Sequence, residues 1–183
     1  FLQFMVTPLR AGSGLSGRLA LLWNTVRWLR PVQVYSRIWF RLARPSLDLR
    51  AAPPCRNSAR RWFAPARQVS MVGERSFLFL GVERELSAQE DWNRKEWPKL
   101  WLYNAHYFDD LVATGAAERE EWHRKLILRW IDENPPGTGN GWEPYPLSLR
   151  IVNWIKWALC GRQLDGVVAH SLAVQVRFLS RRL

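Results

Sequence analysis

Twelve tryptophans in 183 residues, within a composition that is 48% hydrophobic and 13% aromatic, commit this chain to burying large flat side chains. Such a chain collapses around a core, which excludes intrinsic disorder over most of its length. Its length suits one domain, or a piece of a larger one, without disulfide staples. Cys55 and Cys160 stand 105 positions apart with no CxxC spacing. That pattern excludes a zinc ribbon and a disulfide scaffold, and no metal or cofactor is implied. No run approaches the roughly 18 uninterrupted apolar residues of a membrane span. The stretch Leu19-Ala20-Leu21-Leu22-Trp23 is too short for the usual apolar region of a secretory signal.

The net charge of +11 points first to nucleic acid, but its distribution matters more than its size. Residues 1–75 hold 13 Lys and Arg against Asp48 and Glu74, whereas residues 76–183 hold 14 bases and 14 acids. All of the excess therefore lies in the N-terminal part. The arginines there form no known DNA- or RNA-binding motif, so nucleic acid is an unlikely partner.

Residues 1–14 read as a flexible N-terminus, and 15–44 as a basic helical pair. Leu15, Leu19, Leu22, Val26 and Leu29 keep helical spacing, and Pro31 disfavours helix at Arg30 and opens a second helix. Val34, Tyr35, Ile38, Trp39 and Leu42 then share a face, with Arg37, Arg41 and Arg44 elsewhere. This pair suits contact with a membrane surface or a partner, or simply a solvated arginine face over a packed aromatic stripe. Residues 45–66, with Pro45, Pro53, Pro54 and Pro65, read as a linker or an extended wrap. Gln68–Val72 and Ser76–Val82, around Gly73-Glu74, predict a short β-hairpin near 68–82.

Beyond residue 100 the periodicity is helical, giving an all-α class apart from that hairpin. Helices are predicted over Tyr103–Ala113, Glu118–Ile131 with a Glu121–Lys125 pair, Pro146–Leu159, and Asp165 to the end. Their order suggests stacked helical pairs.

Two aromatic and polar clusters carry candidate chemistry. The first is Trp101-Leu102-Tyr103-Asn104-Ala105-His106-Tyr107-Phe108-Asp109, which on a helix places Tyr103, His106, Tyr107 and Asp110 on one face. The second runs from Gly141-Trp142-Glu143-Pro144-Tyr145 through Arg150 to Asn153 and Trp157, a loop entering a helix. Rings that stack on sugars, with Arg and Asn for carboxylates and hydroxyls, suit a carbohydrate groove. The alternative is an aromatic core in which Glu143 pairs with Arg150, His106 satisfies a buried carbonyl and Asn153 bridges two helices.

The stretches Ser76-Phe77-Leu78-Phe79-Leu80, Asp91-Trp92, Lys99 to Phe108, Trp130-Ile131, Asn134-Pro135-Pro136-Gly137 and Gly141 to Trp154 resemble the N-terminal domain of the heparinase II/III family of polysaccharide lyases. Leu29-Arg30-Pro31-Val32-Gln33 and Arg37 resemble the opening of its members found among bacterial polysaccharide genes. The resemblance covers roughly residues 18–183. Ala105 departs from it, standing where Leu is expected. What it implies is the N-terminal part of an incomplete α/α toroid over 67–183, followed in the family by a β-sandwich region. It also implies β-elimination on a uronic-acid polysaccharide, in a protein that is often periplasmic. In that chemistry an Asn neutralises the substrate carboxylate, a Tyr or His removes the C5 proton, and a Tyr returns one. The family's neutralising Asn sits in an Asn-His pair on a later helix, and 1–183 contains none. The expectation is a truncated segment that needs the C-terminal part of the same enzyme and is inactive alone. Tyr103, Asn104, His106, Tyr107, Trp142, Glu143, Tyr145, Arg150 and Asn153 would line or brace its cleft, with no catalytic role among them. The competing expectation is a non-enzymatic basic module that binds an anionic surface, polysaccharide or membrane, through residues 1–75.

Overall fold

The computed structural model describes residues 23, 31–32, 35, 46–56, 62–63, 65 and 67–182. The chain divides into two units, Phe1–Arg44 and Pro45–Leu183. In the first, Trp23, Pro31, Val32 and Tyr35 have helical backbone and exposed side chains. The segment 1–14 and the rest of the expected helical pair 15–44 lie outside the described residues.

The second unit is mostly helical, with one small hairpin. Strands β1 (Ser76–Phe79) and β2 (Val82–Glu85) pair antiparallel, Ser76 opposite Glu85 and Phe79 opposite Val82. Leu80 and Gly81 form the turn with φ of 56° and 75°. Two consecutive left-handed residues make the primed turn whose twist matches a hairpin. This corrects the expected pairing of Gln68–Val72 with Ser76–Val82 around Gly73-Glu74. The earlier segment pairs only in part: an antiparallel bridge joins Met71 to Phe77, the Leu78 amide donates to the Ser70 carbonyl at 2.8 Å, and the Val72 and Gly73 amides donate to the Ser76 carbonyl at 3.0 and 3.3 Å.

Four α-helices follow among the described residues: α1 (Lys99–Tyr107), α2 (Glu120–Glu133), α3 (Pro144–Leu159) and α4 (Gly166–Ser180). Helix α1 starts earlier and stops sooner than the expected Tyr103–Ala113. Phe108 turns left-handed at φ 61°, and Asp109–Val112 continue as a 3-10 turn. The cause is tertiary. The Asn153 amide donates to the Tyr107 carbonyl and to Asp109 Oδ1, both at 2.8 Å, while buried Asp110 accepts the backbone N–H groups of Ser70 and Met71. The first of these bonds takes the Tyr107 carbonyl that a longer helix would use, the others anchor the Asp109 and Asp110 side chains where the turn places them, and burial of the Phe108 ring against Trp130 and Trp154 offsets the backbone strain.

Helix α2 buries His123, Leu126, Ile127 and Trp130, one stripe at helical spacing. Its Lys125 pairs with Glu74 at 3.2 Å, rather than with Glu121 as expected. Pro144 and Pro146 open α3 in the first turn, where a missing N–H costs nothing. Asp165 caps α4 by accepting the Val168 N–H at 2.9 Å. Helix α3 packs against α1 and α4, and α4 also meets α2. The core is built of tryptophan: Trp92, Trp101, Trp130 and Trp154 are almost fully buried, with Phe77, Phe108, Trp142 and Trp157 around them.

Residues 46–56 carry no helix or strand and run along the end of α4, as an extended wrap would. Arg177 donates to the carbonyls of Arg50 and Ala51 at 2.6 and 2.8 Å, and Arg181 to that of Ser46. Asp48 collects Arg50, Arg177 and Arg181.

Candidate functional site

The nine residues singled out from the sequence separate into a buried set and a surface set. His106, Tyr107, Trp142, Arg150 and Asn153 are buried, whereas Tyr103, Asn104, Glu143 and Tyr145 reach the surface.

His106 has no exposed surface. The Trp130 indole N–H donates to its Nδ1 at 3.0 Å, so Nε2 carries the proton and donates to the Trp92 carbonyl at 3.1 Å. Both ring nitrogens are thus committed. Burial first, and then the charge of Arg150, push its pKa down to about 3. A neutral imidazole fixed in this way cannot take a proton from a substrate. The backbone of Gly141 lies so close that a Cβ there would stand 2.7 Å from His106 Nδ1. The expectation of a shared Tyr103, His106, Tyr107 and Asp110 face fails, because α1 ends before Asp110.

Arg150, also without exposed surface, sits with its guanidinium 3.7 Å from the centre of the Trp130 ring. Its Nε donates to Gln175 Oε1 at 2.9 Å, and Nη1 reaches the His106 carbonyl at 3.5 Å. The expected Glu143–Arg150 pair does not form. Burial pulls the Arg150 pKa well below its ordinary value, and the ring face and amide oxygen hold the charge. Trp142 donates to the Asn134 carbonyl at 3.3 Å and packs edge-on to Phe178, so it braces the loop rather than offering a stacking surface. Asn153 links α3 to the end of α1, as the structural reading of that residue expected.

Above this layer, Glu143 accepts the Tyr103 hydroxyl and faces Lys99 Nζ, with its two oxygens at 2.8 and 3.2 Å. Lys99 also lies 5.1 Å from the Tyr103 ring centre. Tyr145, 60% exposed, meets Tyr107 edge to face at 5.7 Å. Arg67 pairs with Asp109 at 3.0 Å beside them. Burial, followed by the nearby Tyr145 and Tyr103, pushes the Tyr107 phenol up to about 12. Burial and then the Glu143 bond also raise Tyr103. Both phenols stay protonated near neutral pH. Asn104 turns back to donate to the Leu100 carbonyl at 2.7 Å.

Sequence spacing missed Lys99, Asp109 and Arg67 in this surface group. Lys99 carried a legible signal, four residues before Tyr103 on one helix face. It also missed a second brace, where Asp110 accepts from His123 at 2.8 Å and Arg119 at 2.9 Å. Among the described residues no three His, Cys, Asp or Glu side chains are grouped to hold a metal, and no helix is long and apolar enough to cross a membrane. Comparisons with family profiles, curated proteins and solved structures give no match to this chain.

Proposed function

We propose that this chain is the N-terminal α/α-toroid segment of a heparinase II/III-like, periplasmic polysaccharide lyase, contributing one wall of the cleft for a uronic-acid polymer. The observation that carries this reading is the surface group Lys99, Tyr103, Glu143 and Tyr145, drawn from two motifs some forty residues apart, joined by the Tyr103–Glu143 bond and backed by the buried Tyr107 ring against Tyr145. Phenolic rings and their hydroxyls, beside a carboxylate and an ammonium, fit the alternating flat and hydroxylated faces of a sugar. The pinned, neutral His106 and the committed Asn153 fit a supporting wall, with the proton-transfer groups supplied by the C-terminal part of the enzyme.

The test pairs binding with turnover. Residues 1–183 are expected to bind uronate oligosaccharides, with weaker binding after Tyr145→Ala, while generating no ultraviolet absorbance from an unsaturated uronate product. Binding that is unchanged in Tyr145→Ala and is lost when residues 1–66 are deleted would instead favour the basic module. Appreciable turnover would overturn the assignment of the chemistry to another part of the enzyme.

A further inference from the structure

The second unit holds a cavity of about 320 Å³ between the end of α2, the first half of α4 and the extended wrap. None of Lys99, Tyr103, Glu143 and Tyr145 lines it, so it stands apart from the proposed sugar wall. Ile131, Val167 and Val174 make apolar sides, Leu49 adds the side toward the wrap, and Trp130 and Trp142 lie at the inner end with almost no exposed surface. Although 23% of the chain is charged, no Asp, Glu, Lys or Arg lines this space among the described residues. An apolar cavity of roughly 150 Å³ already admits benzene, so the volume here suits a two-ring molecule.

Among the side chains that line the cavity, Asn134 alone has a buried polar atom without a partner, its Oδ1. The residue is 3% exposed, and its other polar groups are taken. Its side-chain Nδ2 and its backbone N–H both donate to the Trp130 carbonyl, at 3.1 and 3.0 Å, and its own carbonyl accepts the Trp142 indole N–H at 3.3 Å. The Nδ2 bond fixes which end of the amide is oxygen, so the orphaned atom is an acceptor. A buried acceptor left without a donor is costly, and a ligand that brings one N–H or O–H recovers that cost. An anion would find no cation in the lining and would set acceptor against acceptor, while a cation would find no carboxylate. We propose that this cavity binds a neutral, largely apolar molecule of the indole or naphthol class, whose single donor meets Asn134 Oδ1.

Histidine ring protons give a local readout by NMR, because the chain has three histidines and His170 alone lines the cavity. When residues 1–183 are titrated with indole, the His170 signals are expected to shift and saturate, while those of His123, held by Asp110, stay in place. Benzofuran has the same shape with an oxygen in place of the N–H, and should bind at least about threefold more weakly at the same signals. Gly166 lines the cavity at the first position of α4, and a Cβ there would meet nothing within 4 Å. Gly166→Leu therefore fills space without a clash and should remove the saturable shift while the thermal melt stays cooperative. Indole that gives no saturable shift at His170 up to its solubility would overturn the site, as would a Gly166→Leu protein that binds indole as tightly as the parent. Benzofuran that binds as tightly as indole would overturn the bond to Asn134 and the ligand class drawn from it.

Discussion

The two layers around α1 and α3 use the same residue types to opposite ends. In the buried layer, His106, Arg150 and Asn153 spend most of their polar atoms on the protein itself, on Trp92, Trp130, Gln175, Tyr107 and Asp109. In the surface layer, Tyr103, Glu143 and Lys99 are held by one another, Tyr145 meets the Tyr107 ring edge to face, and all four keep surface open to solvent. A histidine or arginine in an aromatic, polar motif invites a chemical role. What decides the matter is whether its donors and acceptors are already taken, and in the lower layer almost all of them are.

That contrast is open to attack, beginning where the largest effect is expected. Trp130 is the junction of the buried layer, in contact with His106, Phe108, Trp142, Trp154 and Arg150. Trp130→Ala should cost about 3–5 kcal/mol in urea denaturation. A cost near that of a surface change would show that the layer is not a packed unit. Gly141→Ala comes next, since its Cβ would meet His106 and the Trp130 ring. The expected loss is about 1–3 kcal/mol, with the shifted His106 side chain visible in its NMR signals.

Asp110 gives a smaller, pH-dependent effect. Burial alone would raise its pKa, but bonds from His123, the Met71 and Ser70 amides and Arg119 outweigh burial and hold it well below the usual carboxylate range. The unfolded chain therefore takes up this proton at a higher pH than the folded one. The stabilisation is present above the ordinary carboxylate pKa, near 4, and is lost as the pH falls through and below it. Asp110→Asn should flatten that part of the acid limb in thermal melts from pH 7 to 3. The smallest expected change in stability is at the surface: Tyr145→Ala should stay within about 0.5 kcal/mol of the parent. A loss of several kcal/mol there would erase the distinction between the layers.

Much of the scaffold was legible because helical periodicity survives tertiary packing. The predicted bounds of α2, α3 and α4 fall within two or three residues of those observed. The hairpin was expected near its place, but its main ladder lies later because the turn is Leu80-Gly81, and leucine at a left-handed turn position carries no local signal where asparagine would. Helix α1 was overextended because Asn153, 46 residues from Tyr107, supplies the bond that ends it. The aromatic members of the surface group stood out in the motifs. The Arg67–Asp109 pair did not, because the approach of Arg67 to the end of the first motif is made only by the fold.

The wrap over 46–51 shows what a grip of a particular kind permits. Arg177 and Arg181 reach across 126 to 135 residues, and three of their bonds end on main-chain carbonyls, which every residue type presents alike. Only Asp48 adds a side chain with a specific charge. The fastening therefore recognises the path of the strand more than its spelling. Substitutions at Leu49, Arg50 or Ala51 should leave it closed, while loss of either arginine opens it whatever the strand contains.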